Sequence, residues 1–288
     1  MPQQNLPDFD SLWDYSAPDR TETKFRELLP QFPENEYPYL ELLTQIARTQ
    51  GLQRKFDEAH QTLDRVEMQL DESPSRAKVR YLLERGRVFN SSKQADKAKP
   101  FFEQALDLAK ALGEDTHAVD AIHMLAIIAD PASALTLNLQ AIQMAESSGQ
   151  EKARNWLGSL YNNTGWAYHA MGEYESALEI FQKAEAFRRA KGGVNEIRIA
   201  VWCVARTLRS LNRLDEALSK QMRLCAELEA ASETDGYVLE EIGECLLALK
   251  REVEAKPYFV TAYEVLSKDA WLAESEPDRL KRLKELGS

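Results

Sequence analysis

A pattern of small and large apolar residues recurs about every forty positions, and this internal repeat constrains the fold more than any other feature. The octets AKPFFEQA and AKPYFVTA, which begin at Ala98 and Ala255, agree at five of eight positions. The small residues that open successive units stand 39, 40, 39, 40 and 38 residues apart. They are Ala47, Gly86, Ala126, Gly165, Ala205 and Gly243. Such a period is typical of stacked repeats, in which each unit buries the apolar face of its neighbour.

Each unit has the pattern of a helical hairpin. Apolar residues recur at intervals of three and four before and after a short turn, as in Gly86 and Phe89, which indicates two amphipathic helices. We name them helix A and helix B. In the clearest unit, Gly165 and Ala177 are small where the two helices would meet, and Phe181 is large beside them. We therefore expect small and large side chains to interlock between helix A and helix B.

The spacing of these residues resembles that of a known family. The fourth unit carries Gly165, Tyr168, Ala177, Phe181 and Ala184. This set, at these offsets, resembles the tetratricopeptide repeat. The resemblance covers about residues 36–268 and is strongest at 159–191.

Two departures from the family pattern qualify the resemblance. The period is near 40 residues, whereas the usual repeat has about 34, so the chain is similar to the long-helix variants of kinesin light chain and of peptide-sensing Rap-type bacterial regulators. Asn138 and Gln221 stand where units three and five should carry a large apolar residue. A period near 40 also raises HEAT and armadillo repeats as alternatives, but these would not be expected to keep the same register.

The resemblance implies an all-α fold, a right-handed α-α superhelix (a tetratricopeptide-like solenoid) of about six helical hairpins. We expect an N-terminal arm and capping helix in residues 1–35, repeats in 36–268, and a C-terminal capping helix in 269–288, because terminal units of a solenoid need covers. The expected repeats are residues 36–72, 73–113, 114–149, 150–193, 194–232 and 233–268. Ser73 and Pro74 predict a helix cap followed by proline at the first helical position.

The segment PDFDSLWDYS, which begins at Pro7, combines acidic and aromatic residues. We expect it to be an arm folded against the first unit, with an interaction motif as the alternative.

The charge of the chain argues against two classes of partner. Its net charge is −11 and it has no block of five or six consecutive Lys and Arg residues, so the electrostatic attraction that underlies binding to nucleic acid or to anionic membranes is missing. The first residues have neither the basic nor the apolar region of a signal peptide. We therefore expect a cytoplasmic protein.

No cofactor or metal site is expected. Cys203, Cys225 and Cys245 have no CxxC spacing, and the four histidines are scattered, so local spacing assembles no zinc site. The cysteines are expected to be core residues in a reducing compartment. Because no known catalytic motif occurs, we expect a protein that is not an enzyme.

The family implies where a partner would bind. In tetratricopeptide repeats helix A lines a concave groove, and the lining positions carry over to this sequence one by one. The candidate binding residues are Arg87, His123, Asn162, Asn163, Trp166, His169, Trp202, Arg206 and Arg209. Helical phase predicts that those of the fourth unit face away from Gly165 and Phe181.

The chemistry of these residues suits a peptide. Asn162 and Asn163 could form hydrogen bonds with a peptide backbone. Trp166 and Trp202 could contact apolar side chains, and the arginines could bind an acidic or carboxylate anchor. The alternative is that Arg206 and Arg209 simply pair with Glu240, Glu241 and Glu244 on the next helix A. We therefore expect a non-catalytic protein-binding or peptide-binding scaffold; a regulatory sensor of a small peptide or other ligand is the alternative, and an enzyme comes third.

Overall fold

A computed structural model describes residues 8–288, and within this range the chain is built from helices and turns without a strand. The expected all-α fold of helical hairpins is confirmed. Residues 1–7, which belong to the predicted N-terminal arm, lie outside the described residues. The chain divides into two compact units, here called unit 1, which ends at Leu160, and unit 2, which begins at Tyr161.

Unit 1 contains three hairpins. Its helices are α1 (Pro18–Leu28), α2 (Tyr37–Leu52), α3 (Phe56–Glu67), α4 (Arg76–Ser91), α5 (Ala95–Leu112), α6 (Asp115–Ile128), α7 (Pro131–Ser147) and α8 (Glu151–Asn155). Helices α2, α4 and α6 are the A helices, and each packs against the B helix that follows it. Because α4 also contacts both α2 and α6, the three A helices form one continuous layer. We call the side of this layer that faces away from the B helices the helix-A surface of unit 1.

Unit 2 continues the same pattern. Helix α9 (Leu157–Ala170) begins in unit 1, and its residues from Tyr161 onward belong to unit 2. The following helices are α10 (Tyr174–Lys191), α11 (Val194–Ser210), α12 (Leu214–Ala230), α13 (Gly236–Ala248), α14 (Glu252–Leu266), α15 (Ala270–Ser275) and α16 (Pro277–Leu286). Helix α16 packs against α14 and buries Leu280 and Leu283. The helix-A surface of unit 2 is formed by α9, α11 and α13.

A glycine of helix A lies against a phenylalanine of helix B in three hairpins. A Cβ atom added to Gly86 would lie 2.4 Å from a ring carbon of Phe102, and one added to Gly165 would lie 2.5 Å from Phe181. Gly243 has the same relation to Phe259, at 2.7 Å. Real Cβ contacts are not this short, so only glycine allows the ring to lie this close to the helix. The predicted interlocking of small and large residues is confirmed.

Helix α4 begins later than the sequence indicates. Its N-cap is Ser75, whose hydroxyl accepts a hydrogen bond from the backbone N–H of Lys78 at 3.3 Å. The N–H of Ser73 donates instead to the Asp71 carboxylate at 3.0 Å. The prediction of a cap at Ser73 with Pro74 at the first helical position is therefore wrong, because Asp71 ties Ser73 into the preceding turn.

The two positions that depart from the family pattern are buried all the same. Asn138 and Gln221 take the place of the large apolar residue, and Gln221 is completely buried. Among the described residues, Oδ1 of Asn138 and both side-chain polar atoms of Gln221 lack a hydrogen-bond partner. An unpaired buried polar group costs about 1–3 kcal/mol, so these hairpins are locally less stable than an apolar residue would make them.

The three cysteines are buried and unpaired within the described chain, as expected of core residues. Burial raises the pKa of Cys203 and Cys245 to about 12 and that of Cys225 to about 11. The thiols therefore stay protonated and unreactive at neutral pH. No helix between residues 8 and 288 is both long enough and apolar enough to cross a bilayer.

Candidate functional site

Three ring side chains form a continuous cluster on the helix-A surface of unit 2. Helix α9 supplies Trp166 and His169, one helical turn apart, and α11 supplies Trp202. The ring centroids of Trp166 and His169 are 5.1 Å apart, and those of the two tryptophans are 6.0 Å apart. All three side chains are half-buried, so part of each ring remains available to a ligand.

Trp166 also packs against the core. Its ring meets that of Phe181 edge to face at 5.1 Å. The prediction that it faces away from Phe181 is therefore only partly right, because an indole is large enough to reach the core from a position at the edge of the helical face. Trp166 both supports the hairpin and lines the surface.

The two predicted asparagines have different surroundings. Asn162 is half-buried, and its side-chain carbonyl accepts a weak hydrogen bond from Sγ of Cys203 at 3.7 Å. Asn163, the next residue of the helix, is exposed. Asn163 can therefore offer both its amide N–H group and its carbonyl to a ligand.

The predicted arginines of unit 2 are held by carboxylates. Arg209 donates two hydrogen bonds to Glu241 at 2.8 and 2.9 Å, and Nε of Arg206 lies 3.1 Å from the same carboxylate. Helix α16 neutralises the neighbouring acids, since Arg279 binds Glu240 and Arg282 binds Glu244. Of the three acids considered from the sequence, Glu241 pairs with both arginines, whereas Glu240 pairs with Arg279 instead.

His169 is held neutral by its surroundings. Its Nε2 lies 2.9 Å from the hydroxyl of Ser210. Burial, together with the positive charges of Arg206 and Arg209, lowers its pKa below the ordinary value. A neutral imidazole can form one hydrogen bond with a ligand without adding charge to the site.

A cavity of about 710 Å³ opens beside Trp202. It lies where the first turns of α11 and α13 meet the last turns of α12 and α14. Its apolar lining consists of Ile199, Trp202, Leu224, Leu228, Val265 and Leu266. The indole N–H of Trp202 donates to the backbone carbonyl of Tyr237 at 3.2 Å and fixes the ring at the cavity wall. An ion pair between Arg198 and Glu233, with a distance of 2.5 Å, lines the cavity as well.

The remaining two predicted residues belong to unit 1 and have structural partners. Arg87 binds Glu84 at 2.5 Å and makes a very short contact with Asp120. The ring of His123 lies 5.3 Å from that of Trp156, and its Nδ1 is buried without a partner among the described residues. Arg87 is therefore part of a charge network, and His123 is part of an aromatic contact.

The sequence profile of the tetratricopeptide repeat matches residues 79–112 and 155–190. These ranges contain the contacts of Gly86 with Phe102 and of Gly165 with Phe181. The chain contains tetratricopeptide repeats.

Similar proteins agree with this assignment. The chain is 28% identical over 201 residues to tetratricopeptide repeat protein 29 of Trypanosoma brucei brucei, a match that covers 64% of this chain and 40% of that relative. The match thus spans well under half of the relative's length. The fold is similar to that of apo RapI, with a TM-score of 0.73, 12% identity, and coverage of 91% of this chain and 76% of that one.

A third similar structure is a signal transduction ATPase with a tetratricopeptide repeat sensor, from Pyrococcus horikoshii. Its TM-score is 0.73 at 14% identity, and the match covers 92% of this tetratricopeptide-repeat protein and 41% of the ATPase. At these identities, the structural matches show the fold alone.

Sequence reasoning missed much of the cavity in this tetratricopeptide-repeat protein. The lining positions of the family lie on helix A. They therefore include Trp202 but not Leu224, Leu228 and Val265, which lie near the ends of B helices. The only sequence signal for them is the run of apolar residues that continues to the end of each B helix. Within residues 8–288, no group of three or more His, Cys, Asp and Glu side chains is placed to hold a metal ion.

The histidines make the stability of this tetratricopeptide-repeat protein depend on pH. Burial lowers the pKa of His123, and the charge of Arg87 lowers it further against the opposing effect of Asp120. Below pH about 6.5 the folded state therefore binds fewer protons than the unfolded state. The free energy of unfolding decreases as the pH is lowered through this range. His60 and His169 act in the same direction.

We expect the melting temperature to decrease between pH about 6.5 and about 5, and His123→Gln to reduce this decrease, because glutamine does not titrate. Differential scanning fluorimetry across this range measures the effect. An equal decrease in the variant and the wild type would contradict the role given to His123.

Proposed function

We propose that the helix-A surface of unit 2, together with the cavity beside Trp202, binds a segment of a partner protein or a peptide, and that the protein acts as a non-catalytic scaffold. The single observation that carries this proposal is the cavity of about 710 Å³ with apolar walls. Tetratricopeptide-repeat proteins are generally non-catalytic scaffolds that bind proteins or peptides.

The dimensions and chemistry of the cavity support this proposal. Ligand pockets commonly measure about 300–1,000 Å³ and combine apolar walls with a few polar groups. Here an exposed apolar side chain, Ile199, stands at the wall beside Trp202, while Asn163 offers a free amide on the neighbouring helix A.

The pairing of Arg206 and Arg209 with Glu241 argues against a carboxylate as the main anchor of the peptide. A partner carboxylate could reach Arg206 and Arg209 only by competing with Glu241, which already binds both. We therefore propose that apolar contact at Trp202 supplies most of the affinity and that an acidic anchor at these arginines adds little. His169 and Asn163 would orient the peptide backbone.

A regulatory sensor is the second candidate. The same cavity observation favours it, because a space of this size also suits a small peptide or other ligand. The ATPase from Pyrococcus horikoshii carries a tetratricopeptide repeat described as a sensor. A location in the cytoplasm is part of both proposals, since the three cysteines remain unpaired thiols within the described chain.

The experiment compares two lysine substitutions at exposed apolar residues. Ile199 lines the cavity and is 57% exposed, whereas Val253, at the first turn of α14, is 85% exposed. Val253 is twelve residues from Val265, a distance of about 18 Å along the helix. We expect peptides selected from a random display library on the wild-type protein to bind Ile199→Lys at least about tenfold more weakly.

The matched control Val253→Lys should bind the selected peptides as the wild type does. If both variants keep full affinity, the selected peptides bind elsewhere and the proposal fails. Isothermal titration calorimetry measures the affinities. A large rise in melting temperature with a short peptide would favour the sensor.

A further inference from the structure

An acidic and aromatic segment of the chain lies on the helix-A surface of unit 1. Residues 8–15, here called the arm, include a turn of 3-10 helix at Phe9–Leu12. Side chains of the arm contact Gln45 of α2, Arg80 of α4 and Lys152 of α8. The arm therefore crosses the face of the A helices that the resemblance to the tetratricopeptide repeat assigns to partner binding.

Aromatic residues anchor the arm. Phe9 is 1% exposed, and its ring meets Phe32 edge to face at 5.7 Å. Trp13 meets Phe25 in the same way at 5.5 Å, and its indole N–H donates to the side-chain carbonyl of Gln45 at 2.9 Å. The indole is thus bound by both an apolar contact and a directional hydrogen bond.

A cation covers the outer side of this anchor. The rings of Trp13 and Tyr15 stack at 4.8 Å, and the guanidinium carbon of Arg48 lies 5.6 Å from each ring centroid. Arg48 also binds Glu84 at 3.1 Å, so its position is fixed from the helix side. A cation over the face of an aromatic ring is attracted by the quadrupole of the ring, so Arg48 helps to hold Trp13 and Tyr15 on the surface.

Carboxylates anchor the other half of the arm. Both oxygens of Asp10 accept hydrogen bonds from Arg80, at distances of 3.0 to 3.1 Å. Lys152 lies 2.5 Å from Asp8 and 3.3 Å from Asp10. Burial would raise the pKa of Asp10, but Arg80 and Lys152 lower it overall, so this carboxylate is ionised at neutral pH.

Without these acids, Arg80 and Lys152 would lose carboxylate partners. Arg80 is buried, and Glu41 is its other ion-pair partner. That glutamate is shared with Arg76. Within residues 8–288, the ion-pair partners of Lys152 are the two aspartates of the arm. In a chain with a net charge of −11, this is a local site for an acidic segment.

The contact of the arm with Lys152 is open to water. The Asp10 and Lys152 side chains are 40% and 51% exposed, so water and salt screen this ion pair and it adds little to the binding of the arm. Two polar cavities, of about 370 and 360 Å³, lie beside the arm and leave part of the surface uncovered. A longer segment with the same chemistry could therefore make contacts that the arm does not make.

We propose that the helix-A surface of unit 1 is a second binding site, which takes an acidic, aromatic segment of a partner protein in exchange for residues 8–15 of the chain itself. The segment would carry two carboxylates for Arg80 and Lys152 and an indole for Gln45 and Arg48. This site is separate from the one proposed in unit 2, and either can exist without the other.

The covalent tether gives the arm an advantage. A segment joined by a short linker acts at an effective concentration in the millimolar range, so a free peptide of equal intrinsic affinity competes poorly. Weakening the arm removes this competition. A partner peptide should then bind more tightly without any change in the receptor surface.

The test uses the full chain and a fluorescein-labelled peptide, PDFDSLWDYS, which has the sequence of residues 7–16. The double variant Asp10→Asn/Trp13→Ala weakens the arm in the protein. We expect the peptide to bind this variant at least about tenfold more tightly than it binds the wild type, as measured by fluorescence anisotropy. Equal affinity for the two proteins would overturn the proposal.

Two matched controls define the contacts. A peptide with the same two substitutions should bind the double variant at least about tenfold more weakly than the unchanged peptide. Adding Lys152→Gln to the double variant should weaken binding several-fold, whereas adding Lys183→Gln, at a lysine of similar exposure on α10, should not. Binding that is insensitive to these changes would contradict the assigned chemistry.

Circular dichroism melting establishes whether the double variant folds. If it does not, a specific protease site inserted after Ser16, in the exposed turn before α1, provides the second test. After cleavage the wild-type arm should remain bound and exchange with the labelled peptide. A cleaved arm that leaves without being replaced by the peptide would overturn the proposal.

A second copy of the chain could supply the same segment. Light scattering of the wild type distinguishes this source, because exchange of arms between copies would give dimers that the free peptide dissociates. A monomer supports a partner protein as the source. Dimers of that kind would overturn the partner assignment.

Discussion

Phe102→Ala is expected to lower the free energy of unfolding by about 3–5 kcal/mol, as for other large truncations in protein cores. Phe102 is completely buried, and its ring lies against Gly86, which has no side chain to fill the space that alanine would leave. The loss therefore combines the transfer free energy of the ring with the cost of a cavity. Chemical denaturation monitored by circular dichroism measures it.

The neighbouring residue is the matched control. Phe101 is half-buried and stacks on Phe89 at 5.6 Å. Phe101→Ala should cost clearly less, because its ring is partly in water before the substitution. Equal losses at positions 101 and 102 would show that the glycine contact does not set the packing of this hairpin.

Arg87→Met is expected to lower the free energy of unfolding by about 3–5 kcal/mol, because it leaves buried carboxylates without their partner. Glu84 and Asp120 are both buried, and Arg87 bridges them. Glu84 retains Arg48, so Asp120 loses most. Thermal and urea denaturation at pH 7 measure the effect. If Arg87 served mainly to bind a partner, the substitution would leave stability nearly unchanged.

The dependence on pH has a definite sign. In the wild type, burial would raise the pKa of Asp120, but Arg87 and Arg48 hold it below its ordinary value. The ionised pair thus stabilises the fold at neutral pH, and the contribution is lost as pH falls through the lowered pKa. In Arg87→Met the unpaired buried carboxylate favours protonation, so the deficit relative to wild type should shrink as the solution becomes acidic.

A double substitution provides the control for this prediction. Arg87→Met combined with Asp120→Leu removes both charges and should recover most of the lost stability, because replacing a buried ion pair by apolar residues is often neutral. No recovery in the double variant would mean that Arg87 stabilises the fold by packing and not by its charge.

The candidate site could be located from the sequence only in part. Helical phase predicted that Trp166 and His169 share one face of α9, since positions three residues apart lie on the same side of a helix. The repeat predicted that Trp202 of α11 lies on the same surface, and its ring centroid is 6.0 Å from that of Trp166. It could not show that Arg206 and Arg209 bind Glu241, because the choice among several nearby acids depends on how neighbouring helices are aligned. The binding role of all these residues remains a prediction.

The sequence by itself determined the repeat, the hairpin and the contact between small and large residues. These depend on local spacing: a residue such as Gly86 must stand a fixed number of positions before Phe102 for the ring to lie on it. Only the tertiary structure decided which charges are paired and where residues 8–15 lie. Asp10 and Arg80 are 70 residues apart, and Asp8 and Lys152 are 144 apart. No periodic pattern connects such distant positions, because their contact depends on the folded surface of unit 1 as a whole.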